Sequence, residues 1–285
     1  MIPFFKISRL ILEPRDDSTV EHCSPTVKIC HIAGGRGQWR IGGKEYPIET
    51  GDVFILNNVE IRILHKIIPP QPLKMIILDF EPRFIWINGF NLFDSNILGI
   101  FFSRKKNFNN RIDNLNPMSR LVKEAIQDID REYSEKLPKY EEVIKIKIVS
   151  LLTLLNRHYI NEVEPASVSS HGNAENLALI NHVLEYIDQH IAEDLNLDKL
   201  SSLVHMNPSY FSTIFKKNNG ISLSQYILRK RISLAIELLR NEELTVLSIA
   251  HRCGFNSPAN FYKYFKSLTG RTPTYFRKNK ASLNI

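Results

Sequence analysis

The feature that most constrains what this chain can fold into is an internal repeat near its C-terminus. Shifted by fifty positions, the region falls on itself: Asn207-Pro208 lies over Ser257-Pro258, and Phe211, Phe215, Lys216 and Gly220 lie over Phe261, Phe265, Lys266 and Gly270. In both copies an Asn or Ser, able to accept from free N–H groups, precedes a Pro, the pair that opens a helix. In both a Gly follows, where a helix ends in a left-handed residue. A shorter helix and a tight turn stand before each, and in the second copy that turn is Gly254-Phe255. Joined by the long segment ISLSQYILRKRISLAIELLR, the two copies read as a doubled helix-turn-helix module.

Helical periodicity separates the inner from the outer face of each second helix. Phe211, Ile214 and Phe215 share one stripe, as do Phe261, Tyr264, Phe265 and Leu268, and these are expected in the module's core. Opposite them stand Ser209, Thr213 and Lys216 with Ser212 on the flank, and in the second copy Ala259, Lys263 and Lys266 flanked by Asn260 and Tyr262. Ser257 sits at the mouth of that second helix. Small and hydrogen-bonding side chains beside lysines are what a helix entering a DNA major groove requires. Arg229, Lys230 and Arg231 on the connecting helix are candidate phosphate contacts, although three successive side chains point in different directions. A plain helical bundle with a polar outer face is the alternative, and the repetition argues against it.

Charge points the same way. The net charge is +7, yet from Lys199 onward 14 Lys and Arg stand against 3 Asp and Glu, while residues 1–198 carry more acid than base. Only the C-terminal part is therefore suited to a polyanion such as double-stranded DNA. Cys23, Cys30 and Cys253 are too few and too scattered for a disulfide framework or a zinc site. The opening MIPFFKISRLILEP has no sustained apolar run, and no stretch of about 18 apolar residues occurs, so neither a signal peptide nor a membrane span is expected and a cytoplasmic protein is.

The N-terminal part has a different period. Five short β-branched or alternating runs (VKICHIA, QWRIGG, DVFILN, EIRILHKII, LKMIILDF) fall between Gly34-Gly35, Gly42-Gly43, Gly51-Asp52 and Pro69-Pro70, which predicts an antiparallel barrel or sandwich. Two helices follow, one opened by Pro117 with Leu121, Val122, Ala125 and Ile129, one from near Pro138 with Ile144, Ile148, Leu151 and Leu155. The polar stretch 161–175 has a linker composition. The expected class is thus multidomain α+β: residues 1–160, a linker at 161–175, and an all-α module at 176–285 with helix-turn-helix units at about 197–218 and 245–268.

With LDKLSSLVHMNPSYFSTIFKK and LSIAHRCGFNSPANFYKYFKSLTGRTPTYFRK in view, the chain resembles the AraC/XylS family of transcription regulators over about residues 180–280. Residues Gly37-Gln38-Trp39, Gly42 to Tyr46 and Gly51-Asp52-Val53-Phe54 resemble the family's cupin-like sensory domain. The resemblance implies an activator whose two recognition helices enter successive major grooves, a small-molecule effector in the barrel, RNA polymerase as a partner, and a homodimer through 138–160. Packing of the Ile144/Leu155 stripe within its own domain is the other reading. Trp39, Arg40, Tyr46 and Trp86 are candidate effector contacts, because Trp stacks on sugar faces and Arg forks to hydroxyls or carboxylates, which makes a carbohydrate one expected effector.

Two enzymatic alternatives are weighed against this. A metal-dependent cupin needs clustered ligands, but its expected places hold Ser24, Lys28, Ile61 and Arg62, and His22, His31 and His65 lie at other spacings. A DNA-repair methyltransferase needs a zinc-held Cys, a setting Cys23 and Cys30 lack. No catalytic residue, metal or cofactor is therefore expected.

Overall fold

The structure is a computed structural model and describes residues 4–16, 19–20, 24–86, 97–164, 173–241 and 244–278. The chain divides into two compact units, one of residues 1–18 and 26–175, the other of 19–25 and 176–285. Each is described by itself.

The first unit is built from strands β1 (Phe5–Leu12), β3 (Val27–Gly34), β4 (Arg36–Ile41), β5 (Lys44–Ile48), β6 (Val53–Leu56), β7 (Arg62–Ile68), β8 (Leu73–Phe80) and β9 (Arg111–Ile112), the two-residue β2 (Thr19–Val20) preceding β3 in the chain. After β8 come a 3-10 turn (Pro82–Ile85), α1 (Gly99–Phe102), α2 (Pro117–Glu135) and α3 (Tyr140–His158). One antiparallel sheet has the order β1-β8-β3-β6-β9, and in the other β7, β4 and β5 lie side by side.

Strand β3 shows why the sequence lacks strict alternation there. Val27 and Ile29 face the helix pair, in a cluster with Val53, Ile55, Leu78, Phe80, Val122, Ile126, Ile129, Ile144, Ile148 and Leu155. Cys30 and Ile32, one residue out of phase, are also buried, and they face the second sheet. A strand covered on both sides reads as a continuous apolar run.

The sequence reading omits β1, β2, β5 and β9. In β1, FKISRLIL mixes its polar and apolar positions because its outer residues are half-covered. Strand β5 contains Pro47, which is tolerated because β5 lies at the sheet edge. It is reached through Gly42 (φ +56) and Gly43 (φ +87), the two-residue turn with both backbones left-handed that a tight hairpin needs.

A buried carboxylate fastens the helix pair to the barrel. Asp52 is fully buried; its two oxygens accept from Glu49 N (2.7 Å), Arg111 Nε (2.8 Å), Arg111 Nη2 (3.0 Å) and Asn114 N (3.1 Å). The chain then enters α2, where Asn116 caps Met118 N at 2.9 Å and the Ser119 hydroxyl donates to Gly51 O. Along α2 the buried positions are Ser119, Val122, Ile126 and Ile129. Leu121, expected on that face, is 46% exposed instead.

From residue 173 on, the described elements are helices: α4 (Asn173–Gln189), α5 (Leu197–Ser202), α6 (Pro208–Asn219), α7 (Leu223–Asn241), α8 (Val246–Arg252), α9 (Pro258–Thr269) and α10 (Pro273–Lys278). Asn207 caps α6 by accepting from Ser209 N and Tyr210 N, and Ser257 caps α9 by accepting from Asn260 N. Gly220 (φ +75) and Gly270 (φ +72) close the same helices. The first turn has no glycine, and His205 takes the left-handed backbone there (φ +52). The connecting helix α7 serves both helix-turn-helix copies. Tyr226 packs edge-on against Phe215 at 5.7 Å, while Ile232, Ala235, Ile236 and Leu239 join Phe261, Phe265 and Phe276.

Candidate nucleic-acid interface

The two helices that the repeat singles out present polar faces outward while their phenylalanines hold them down. Phe211 and Phe215 are fully buried, as are Phe261 and Phe265, each pair separated by one helical turn. On the opposite side of α6, Ser209, Thr213 and Lys216 are exposed and Ser212 is half-buried. On α9, Ala259, Asn260, Tyr262, Lys263 and Lys266 are exposed, and Ser257 is half-buried because its hydroxyl caps the helix. Tyr264, expected in the core, is 38% exposed, and the Lys263 ammonium lies 5.8 Å from its ring centre. The apolar face of α9 is thus narrower than a Phe/Tyr/Phe/Leu stripe.

Local bonding sets what each side chain can offer. The Thr213 hydroxyl donates to Ser209 O at 3.0 Å, so its hydrogen is committed to the helix. It presents a methyl and an oxygen lone pair. Among the described residues no hydrogen bond of the Asn260 side chain accompanies its backbone cap, and an exposed carboxamide can both donate to and accept from a base edge. The ammoniums of Lys216 and Lys266 stand near the C-terminal ends of α6 and α9.

The connecting helix corrects the expected phosphate contacts. Arg229 is buried, Lys230 Nζ pairs with Asp188 at 2.7 Å, and the Arg231 guanidinium donates to backbone carbonyls. Lys230 and Arg231 are thus engaged inside the module, and Arg229 is buried in it.

The four candidate effector contacts do not gather. Trp39 and Tyr46 face the space between the sheets, where both rings lie edge-on to Phe54 at 5.1 and 6.1 Å. The Tyr46 hydroxyl is hydrogen-bonded with Asn110 (3.3 Å), and burial pushes its pKa up. The Trp39 indole N–H is buried and has no hydrogen-bond partner among the described residues. Arg40, the next residue, points outward by the alternation of a strand. It pairs with Glu45 at 2.5 Å and lines an open groove of about 470 Å³ with Gln38, His65 and Lys66. Trp86 is half-buried against the helix-pair cluster.

Sequence reasoning missed Lys28 and Asp79, paired at 3.0 Å from neighbouring strands on the barrel side. Burial raises the Asp79 pKa, but the Lys28 and Lys6 ammoniums and bonds from Thr26 and Lys28 outweigh it and hold the carboxyl below its usual range. Lys at the interior phase of an apolar strand is the signal that could have found it.

Among the described residues no three His, Cys, Asp or Glu side chains converge to hold a metal. His31 is buried in β3, His65 is half-buried in β7, and His22 and Cys23 lie outside the described residues. Cys30 and Cys253 form no disulfide among the described residues and are buried, and burial pushes the Cys253 thiol up to about 12. Nor is any described helix long and apolar enough to cross a membrane.

Compared with known proteins, residues 200–279 match a helix-turn-helix domain family, and residues 4–95 match the AraC-like ligand binding domain. The regulatory protein PocR of Salmonella typhimurium is 34% identical over 113 residues, which is 40% of this chain and 37% of PocR. An HTH-type transcriptional regulator of Staphylococcus aureus is 27% identical over 235 residues, 82% of this chain and 29% of that protein. The chain thus spans well under half the length of these curated relatives. In overall fold it is similar to ToxT of Vibrio cholerae, solved with an unsaturated fatty acid bound, with a TM-score of 0.62 and 16% identity over 96% of this chain and 95% of ToxT.

Proposed function

Since this chain belongs to the AraC-type family of helix-turn-helix transcription regulators, we propose that it binds specific double-stranded DNA through α6 and α9 under control of a small molecule held by the N-terminal unit. The observation that carries this is the matched pair of capped, Gly-closed helices, each anchored by two buried phenylalanines and each turning a polar, lysine-flanked face outward. In this reading Ser209, Ser212 and Thr213 of α6 and Ala259, Asn260, Tyr262 and Lys263 of α9 face bases or sugar. Lys216, Lys266 and the capping Ser257 face the phosphate backbone. The protein works as an activator in the cytoplasm, without cofactor or enzymatic step, and contacts RNA polymerase.

The effector reading rests on Trp39 and Tyr46. The interior they face is lined by Phe54, Ile41, Leu64, Met75 and Ile77, with Lys28, Arg62 and Asp79 on the same strand faces. A sugar buried there would leave most of its hydroxyls without partners, at a cost of about 1–3 kcal/mol each. The fatty acid bound by ToxT is of the class such walls suit, and the reading here is a largely apolar molecule with one polar end. If the protein is a dimer, the Ile144/Ile148/Leu151/Leu155 stripe does not make the interface, because all four side chains are consumed by their own unit. An interface on 138–160 has to use the other side of α3, around Ile146 (65% exposed) and Ser150.

The test is selection of DNA from a random pool by the purified chain, followed by titration of the enriched sequence over a range of salt. A steep fall of affinity with salt, together with discrimination against scrambled DNA, is expected. Failure to enrich any sequence overturns the reading.

A further inference from the structure

The Arg231 guanidinium lies where the two halves of the DNA-binding module meet, and its contacts go to both. On one side Nε donates to Ile191 O at 3.0 Å and Nη2 to Glu193 O at 2.6 Å. Those carbonyls belong to the segment that enters the first helix-turn-helix unit. The same segment is tied onward to α5 by the Glu193–Lys199 pair at 3.0 Å and by Asn196, which caps α5 at Lys199 N. On the other side the guanidinium lies against the turn of the second unit. A Cβ built on Gly254 would stand 2.9 Å from Arg231 Cζ and 2.7 Å from Ile191 O, and the Phe255 ring centre is 6.0 Å from Cζ. Phe255 in turn packs edge-on against Phe261 of α9 at 5.1 Å.

From this geometry we infer that Arg231 is a strut that fixes α6 and α9 relative to one another, a positioning residue for reading two adjacent stretches of DNA. A flat fork is required, because two carbonyls two residues apart are reached from adjacent nitrogens of one planar group. A lysine offers a single point charge and cannot hold both. Gly254 completes the device in two ways: its backbone is left-handed (φ +80), and its missing side chain leaves the space the guanidinium and Ile191 O occupy. The neighbouring Lys230–Asp188 pair fastens α7 to α4 at the same level, so two consecutive basic residues, which on a free helix would face solvent, brace the module from within.

This inference rests on the DNA-binding reading for its purpose but not for its geometry, and the experiment separates the two. In the full chain with Cys23→Ser, spin labels are placed through Ser212→Cys and Asn260→Cys, and the distance between them is measured by pulsed electron resonance. A single narrow distribution is expected for the parent, and a clearly broadened or displaced one for Arg231→Met and for Arg231→Lys, the second variant keeping the charge in case the first does not fold. Distributions as narrow as the parent's in both variants overturn the strut. On DNA enriched by the parent protein, Arg231→Lys is expected to lose roughly tenfold or more in affinity for the full site while binding of either half alone is unchanged. One inserted base pair, a rotation of about 35°, should penalise the parent more than the variant. Equal penalties overturn the inference. If the parent enriches no DNA, the DNA reading falls, and the distance measurement still decides the strut.

Discussion

Replacing Asp52 with Ala is expected to cost the first unit about 4–6 kcal/mol. The carboxylate is wholly buried and accepts four hydrogen bonds, two from the Arg111 guanidinium and two from the backbone N–H groups of Glu49 and Asn114. Removing one partner of a buried ion pair costs about 3–5 kcal/mol, and each N–H left unsatisfied adds about 1–3 kcal/mol. These contributions overlap, since water can enter the space left and reach at least one donor, so the total stays near 4–6 kcal/mol. In a unit of this size each kcal/mol lowers Tm by about 2–4 °C, giving a fall of about 10–20 °C. Calorimetry of the full chain is the assay, with two transitions expected because the chain divides into two compact units. The fall should be confined to the transition of the first unit, and Asp52→Ala/Arg111→Ala should be less damaging than the two single changes summed. A shift below about 3 °C, or an equal shift of both transitions, would refute the reasoning that Asp52 clamps α2 to the barrel.

Lys263→Ala should weaken binding chiefly at one base step, by about 1–3 kcal/mol, as read by titration of single-base variants of the enriched site; a uniform loss on every sequence makes Lys263 a phosphate contact. Trp39→Phe should abolish the effector's thermal stabilisation of the N-terminal unit while leaving DNA affinity in its absence unchanged, and undiminished stabilisation removes Trp39 from the effector site. Burial holds the His31 pKa below 6.5, with the Lys123 charge adding to it, so the folded state excludes a proton that the unfolded chain binds. The sign follows: stability is fully present above about pH 6.5 and falls as pH drops below it, and His31→Leu should flatten that part of a stability-against-pH curve. An unchanged slope in His31→Leu assigns the titration elsewhere.

What could be read from the sequence was set by how local each cause is. The caps at Asn207 and Ser257, the left-handed Gly220 and Gly270, and the phenylalanine spacing all act within one helix, and they were legible. His205 was not, because a left-handed backbone without Gly leaves no compositional mark. Tyr264 and Leu121 fell at the margins of their stripes, where a rotation of a few tens of degrees decides burial. The inward role of Lys230 and Arg231 is not legible, because their partners, Asp188 and the carbonyls of Ile191 and Glu193, are about forty residues away in the chain. Strand alternation sends the neighbours Trp39 and Arg40 to opposite faces, which separates them as contacts for one effector. The Lys28–Asp79 pair needs the β3–β8 register, which no single strand reveals.

The central claim is that α6 and α9 occupy two major grooves on one face of the DNA. Hydroxyl-radical and guanine-methylation protection of the enriched site, with the full chain bound, addresses it most directly. The account predicts two protected major-groove patches on the same face, about 10 base pairs apart, with Thr213→Ala and Asn260→Ala each changing the pattern in a different patch. A single protected patch, or two patches on opposite faces, would contradict it.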